Sequence, residues 1–416
     1  MPAVTNVDMG HGGADTVNVM SIAGPTTITT GTGDDVVRVG SRTDLGDPSG
    51  LSTLDDIDNA LLTLLAGGGA DTLLVYDSGD TAANTGRLGL TTLTGLGMTQ
   101  GIEYHGFETL EARLSRGVDD FRIGDDPVAP QGVGAAIAAS AAVADTPSRI
   151  SVFGGDGADN IRLSGDVSAE QINIYAGAGN DTVTLNPGGP DNPPLTLAGH
   201  TRVFGEAGED LLIVNRLPSL MLLRDRLDDG TPALVRDTVD LDGGAGTDNY
   251  VVNTWGSDAA GAHDYIVNVF DSGAPDDGAD VLTINGGDAA DVFLLRRASA
   301  LLEGVSAPST ANTPAFVALL HGTLEDVRNQ VRQDIERVNY DENVNGRLIV
   351  QGGAGDDYFA SDDNSAITTL DGGAGNDTFQ IGQIYGEPRI SMPDASGNPA
   401  TVAAGDDFDK IGRAHV

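Results

Sequence analysis

Apolar residues recur at every second position in many short stretches of this 416-residue chain. Val17 and Val19, Val37 and Val39, and Val183 and Leu185 each alternate with polar side chains. A period of two puts successive side chains on opposite faces of an extended strand, so each stretch predicts a short β-strand with one face turned inwards. Between Gly10 and Asp35 the order is a glycine-rich turn ending at Asp15, the strand TVNV, a second turn SIAGP, the strand TTITT, and another glycine-rich turn. One circuit takes the 20 residues from Asp15 to Asp35. The expected fold is all-β: a parallel β-roll or β-solenoid of about 20-residue coils, interrupted by loops and one amphipathic helix.

The helix is predicted within residues 314–338, where Val317, Leu320, Leu324, Val327, Val331, Ile335 and Val338 recur at intervals of three and four. Such a helix either packs over a solenoid face or binds a partner. Gln131 to Asp145 is Ala-rich and reads as a flexible insert in preference to a short helix. The expected organisation is solenoid with a spacer block over 1–130, the insert over 131–147, solenoid over 148–300, a helix-bearing insertion over 301–345, and solenoid over 346–410. The closing IGRAHV, Ile411 to Val416, is the in-frame translation of a common sequencing-adapter string and is set apart as an artefact.

The turns share one nonapeptide: two glycines, any residue, glycine, any residue, aspartate, any residue, then an apolar residue. Complete copies begin at Gly154, Gly243, Gly352 and Gly372, and close variants at Gly10, Thr30, Ala66, Ala176 and Gly205. Weaker echoes surround Asp119, Asp280, Asp291 and Asp407. Generic turns explain a wealth of Gly and Asp but not this register.

Composition narrows the choice. Glycine supplies 58 residues and aromatics only 5%, with one tryptophan, Trp255, so a single large globular core is not expected. The formal net charge is -40, which excludes nucleic acid as a partner because phosphates would be repelled. Of the 62 acidic residues eleven are Glu and 51 are Asp, the acid of turns and of metal ligation. Cysteine is absent, so no disulfide or thiolate site staples the chain. No apolar run is long enough to span a membrane, and MPAVTNVDMG lacks the form of a secretory signal, which suggests an internal piece of a longer protein.

The nonapeptide resembles the RTX, or haemolysin-type calcium-binding, repeat, and the likeness is scattered over most of residues 10–407. The resemblance implies a β-roll in which six-residue turns bind Ca²⁺ and the next three residues form a strand. Glycines would let the backbone turn its carbonyls towards the ion, and aspartate would add an anionic oxygen. The implied ligand pairs are Asp15 with Asp35, Asp159 with Asp181, and Asp357 with Asp377. Their turn glycines are Gly31 and Gly33, then Gly154, Gly155 and Gly157, then Gly177 and Gly179, then Gly352, Gly353 and Gly355, and last Gly372, Gly373 and Gly375. Asp71, Asp210 and Asp248 have the local pattern without a partner one coil away. Stacked carboxylates about 5 Å apart would repel by roughly 1 kcal/mol in water and about 3 at an effective dielectric of 20, so an intervening cation would couple binding to folding. The family stacks its nonapeptides in tandem, whereas here they are separated, with turns expected on one edge only. The block from Ala66 to Ser115 resembles spacers of giant bacterial exoproteins, and its YDSGD at Tyr76 is echoed by FDSGA at Phe270.

No enzyme motif stands out. The six histidines, His11, His105, His200, His263, His321 and His415, are far apart with no HExxH, and surface or loop positions are expected for them. The chain also lacks GxSxG and a Walker loop, and at Gly31 the aspartates of GTGDDV would repel a pyrophosphate. The expected function is a calcium-binding structural or adhesive segment of a large secreted or cell-surface bacterial protein, exported by type I secretion, with an unknown cell-surface or matrix ligand. The alternative is a module of a secreted lyase, epimerase, protease or lipase whose catalytic part lies outside this chain.

Overall fold

The computed structural model describes residues 4–10, 12–42, 51–57, 60–124, 147–167, 169–188, 194–197, 199–226, 232–274, 277–297, 314–329, 334–361, 364–382 and 414–415. The chain forms two compact units, Met1–Asn215 and Arg216–Val416. Each is a parallel β-solenoid in which the chain alternates between two sheets.

In the first unit one sheet runs in the order Thr5–Asp8, Thr26–Thr29, Leu62–Leu65, Met98–His105, Thr92–Gly95, Thr85–Leu88, Asp120–Ile123, Asn160–Leu163, Thr182–Leu185 and Leu211–Asn215. The other runs Thr16–Val19, Val36–Val39, Thr72–Tyr76, Thr109–Arg113, Arg149–Asp156, Gln171–Ala178 and His200–Ala207. Alternation sets which face is inside. Val37 pairs with Leu73, Leu73 with Leu110, Leu110 with Ile150 and Ile150 with Ile172, so like side chains stack at the strand spacing along the core. Val37, Val39, Val183 and Leu185 are buried as the alternation predicts, while Val17 on the first coil is only half-buried. Full burial of one such aliphatic side chain contributes about 1.5–3 kcal/mol.

Some circuits take 20 or 22 residues, and others take 36, 37, 40 or 29. The strands pair in register whatever the length of the circuit. Asp120–Ile123 pairs directly with Asn160–Leu163, and the Ala-rich insert between them lies outside the described residues. One departure stays within the sheet: Thr85–Leu88, Thr92–Gly95 and Met98–His105 form an antiparallel meander. It places the spacer block in the solenoid wall.

The second unit repeats the plan. One sheet carries Asn249–Asn253, Val281–Asn285, Arg347–Gln351 and Thr368–Asp371, and the other carries Thr238–Ala245, Tyr265–Val269, Ile335–Tyr340, Ala315–Leu320, Val292–Arg297, Tyr358–Ser361 and Thr378–Ile381. Ala414–His415, within the segment set apart above, pairs alongside Thr368–Asp371.

The long helix expected within 314–338 is a correction. The helix covers only Leu324–Arg328, Ala315–Leu320 and Ile335–Tyr340 are antiparallel strands, and Val331 lies outside the described residues. Ala315–Leu320 is buried almost throughout, and a strand covered on both faces reads as a continuous apolar run from which helical intervals can be picked out. The short helix is closed by a capping box, with Thr323 Oγ1 accepting from the Asp326 N–H at 3.1 Å and Asp326 Oδ2 from the Thr323 N–H at 2.9 Å. Leu324 packs on Val292, Ala318, Leu320, Tyr358 and Ala360, so the helix covers a sheet face. No helix among the described residues is long and apolar enough to cross a membrane.

Coil stacking leaves no room at the fourth position of the nonapeptide. A Cβ on Gly33 would lie 1.5 Å from the Gly13 carbonyl oxygen, and one on Gly179 1.7 Å from that of Gly157, where φ is also +145°. Gly179→Ala therefore combines left-handed strain with a backbone clash, and we expect a loss of about 2–4 kcal/mol. The shift of the urea midpoint checks it, against Ala178→Gly as a neighbouring control.

Candidate metal centre

The sixth-position aspartates form ladders. In each, the backbone N–H of one coil donates to a side-chain oxygen of the next, a carboxylate oxygen at every step but the one to Asn345. Asp15 donates to Asp35 at 2.8 Å, Asp35 to Asp71 at 2.8 Å and Asp71 to Glu108 at 2.6 Å. A second ladder of the same unit runs from Asn84 to Asp119, Asp159, Asp181 and Asp210, at 2.7–2.8 Å per step. In the second unit Asp248 donates to Asp280 and Asp280 to Asn345, both at 2.9 Å, while Ser257 donates to Asp291, Asp291 to Asp357 and Asp357 to Asp377 at 2.6–3.0 Å.

All three expected pairs are thus neighbours, and the partners of Asp71, Asp210 and Asp248 are present at wider separations. The expected single edge is corrected. Asp15, Asp35, Asp71 and Glu108 lie where the chain passes from the first-described sheet to the other, whereas Asn84, Asp119, Asp159, Asp181 and Asp210 lie at the opposite passage. The second unit also uses both edges, with Asp248 and Asp280 on one and Asp291, Asp357 and Asp377 on the other.

The carboxylates fold back over their own turns. A Cβ on the first-position Gly352 would lie 2.0 Å from Asp357 Oδ2, and one on Gly372 2.2 Å from Asp377 Oδ2. First-position glycine makes room for the acid, and fourth-position glycine for the preceding coil. One oxygen of each acid caps an amide of the neighbouring coil. For Asp35, Asp71, Asp159, Asp181 and Asp357 the other oxygen, Oδ2, is buried without a hydrogen-bond partner among the described residues. Burial is the main cause that raises Asp159 to about 7 and Asp181, Asp210 and Asp357 to about 6, against the lowering effect of the accepted N–H.

The densest group lies in the second unit. Carboxylate oxygens of Asp248, Asp271 and Asp280 are within 4.8 Å of one another and all three residues are buried. Asp280 comes from the sixth position of its turn, and Asp271 from the FDSGA segment that follows Tyr265–Val269. Burial first, then the facing Asp280 and Asp248 charges, push Asp271 up to about 8, although its Oδ1 accepts from Gly273 N–H at 2.8 Å. The related YDSGD segment meets a different partner: Asn84 occupies the sixth position and donates through Nδ2 to Asp80 at 2.8 Å and Asp77 at 3.4 Å. Asp77 at that corner is also pushed up to about 8, by burial and then by the Asp80, Asp119 and Asp55 charges, against the lowering effect of the Leu54 N–H. At Asp271 and Asp280 two acids face each other, and a shared proton or a cation would neutralise them. An all-oxygen donor set of this charge fits a hard divalent ion.

Asp271, Asp77 and Glu108 were not singled out from the sequence, although the echo between YDSGD and FDSGA marks the first two. His263 and His321, for which surface or loop positions are expected, lie in connecting segments outside the strands and are buried there.

The class that this geometry defines is a parallel β-solenoid with stacked aspartate turns. No family model, no curated protein and no solved structure matches the chain.

The raised carboxyls have a direct consequence for stability. A folded-state pKa above the unfolded value means that the folded chain holds more protons at these groups, so the stability they contribute is fully present below about pH 4 and is lost as pH rises through about 6 to 8. In EDTA we expect the thermal midpoint to fall between pH 5 and pH 8. Asp159→Asn, which retains an oxygen acceptor, should flatten that slope, while Asp159→Ala, which leaves the Asp119 N–H uncapped, should cost about 1–3 kcal/mol. Calorimetry across that range reads both.

Proposed function

We propose that this chain is a calcium-binding structural or adhesive segment of a large secreted or cell-surface bacterial protein of the haemolysin-type repeat class, and that its folding is coupled to Ca²⁺. The observation that carries the proposal is the buried triad Asp248, Asp271 and Asp280, where three carboxylates meet within 4.8 Å. Stacked Oδ2 atoms of the aspartate ladders supply further anionic oxygens along both edges. Bound Ca²⁺ would supply the positive charge that the buried acids otherwise obtain only from protons.

The chain itself supports a structural role. Hydrogen-bonded turns and stacked core residues make a stiff rod-like repeat within each unit, and the cation would act as a staple that forms after export into a calcium-rich medium. Protein held unfolded at low calcium is suited to type I secretion.

Equilibrium dialysis at millimolar CaCl₂ and neutral pH, with the thermal midpoint measured in parallel, tests the proposal. Uptake of Ca²⁺ with a rise in the midpoint is expected, by about 2.7 kcal/mol of stabilisation at a hundred times the dissociation constant. Asp271→Asn should lower the number of ions bound while leaving the EDTA-treated protein no less stable. An absence of uptake, together with midpoints that do not respond to CaCl₂, would sink the proposal.

A further inference from the structure

Three aromatic rings lie side by side at the corner where residues 254–264, which join two strands of the second unit, meet His321. Trp255 lies on His263 with centroids 4.6 Å apart, and His263 lies beside His321 at 5.3 Å. Both histidines are 8% exposed. The corner is anchored from both sides, since Gly322 N–H donates to Ser257 O at 2.8 Å and His321 N–H to Asp334 O at 3.1 Å.

The partners of the two Nε2 atoms decide the tautomers. His263 Nε2 is 3.0 Å from the Ala260 carbonyl oxygen, which can only accept, so Nε2 carries the hydrogen. His321 Nε2 is 2.9 Å from Glu336 Oε1. Glu336 is buried and its other oxygen accepts the Trp255 N–H at 2.9 Å and the Tyr265 hydroxyl, so the carboxylate is an acceptor there too. In each neutral ring the lone pair is therefore on Nδ1. Neither Nδ1 has a hydrogen-bond partner among the described residues, and both are buried.

Metal-binding histidines have this arrangement: one ring nitrogen is held by a carboxylate or a backbone carbonyl, and the other is left for the metal. We propose that His263 and His321 are the nitrogen donors of a site for a late first-row divalent cation such as Zn²⁺ or Cu²⁺, with Glu336 and Ala260 O as the groups that orient the rings. Imidazole nitrogen selects these ions over Ca²⁺, so the site is chemically distinct from the carboxylate triad. The exposed residues Ala260, Gly261 and Ala262 directly precede His263 and offer the way in. Bound metal would join two segments 58 residues apart, the approach to Tyr265–Val269 and the end of Ala315–Leu320.

Trp255, the single tryptophan, reports on the site. The full chain is titrated with Zn²⁺ alone by calorimetry and with Cu²⁺ alone by fluorescence, both in saturating CaCl₂ so that oxygen sites are filled. One equivalent of Zn²⁺ and stoichiometric quenching of Trp255 by Cu²⁺ are expected. His263→Gln and His321→Gln should each weaken binding at least tenfold, and His200→Gln should leave it unchanged. Because a substituted chain could fail to fold, the wild-type protein is also read by imidazole nitrogen NMR, in which Zn²⁺ should move two Nδ1 resonances. Undisplaced resonances, or affinity that survives both substitutions, would overturn the site without touching the calcium proposal.

Discussion

The structure depends on one repeated hydrogen bond, from the backbone N–H at the end of a turn to the carboxylate of the corresponding residue one coil along. It sets the register, because each strand begins directly after the residue that makes it. Asp reaches back to the neighbouring amide at most steps, and Glu108 and Asn345 do so at one each. The glycines follow from the same geometry. One leaves space for the carboxylate over its own turn, as at Gly352 beneath Asp357, and another leaves space for the carbonyl of the preceding coil, as at Gly179 above Gly157. The nonapeptide thus has a steric and hydrogen-bonding rationale before any ion is considered.

This bond carries an electrostatic cost. Satisfying an amide with one oxygen draws the other out of water, and the acids stack at the spacing of strands in a sheet. Burial raises Asp159, Asp181, Asp210 and Asp357 towards neutrality. Asp77 and Asp271 are both pushed up to about 8, with burial as the main cause. The two corners differ at the sixth position, which holds the uncharged Asn84 beside Asp77 and the acid Asp280 beside Asp271 and Asp248.

Oxygen and nitrogen donors are segregated within the second unit. The carboxylate triad sits in the turns where hard ions are favoured, and the imidazole pair sits at a separate corner under Trp255. Glu336 belongs with the histidines, held by Trp255, Tyr265 and His321. A buried carboxylate with that many donors is locked in position and fixes the ring beside it.

Local pattern alone was enough to read the strands, the two-strand circuit, the glycine and aspartate turns and the pairs 20 or 22 residues apart, because each depends on near neighbours and a period of two. Tertiary structure decided what depends on loop length. Asp35 meets Asp71 across 36 residues, and Asp291 meets Asp357 across 66 that include the antiparallel strands Ala315–Leu320 and Ile335–Tyr340 of the wall itself, so register is kept while separation along the chain varies. It also decided that the turns occupy both edges, that Ala315–Leu320 is a strand and not part of a helix, and that His263 and His321 are side by side. Parallel pairing is non-local, and the spacing of residues along the chain does not encode which coil will lie against which.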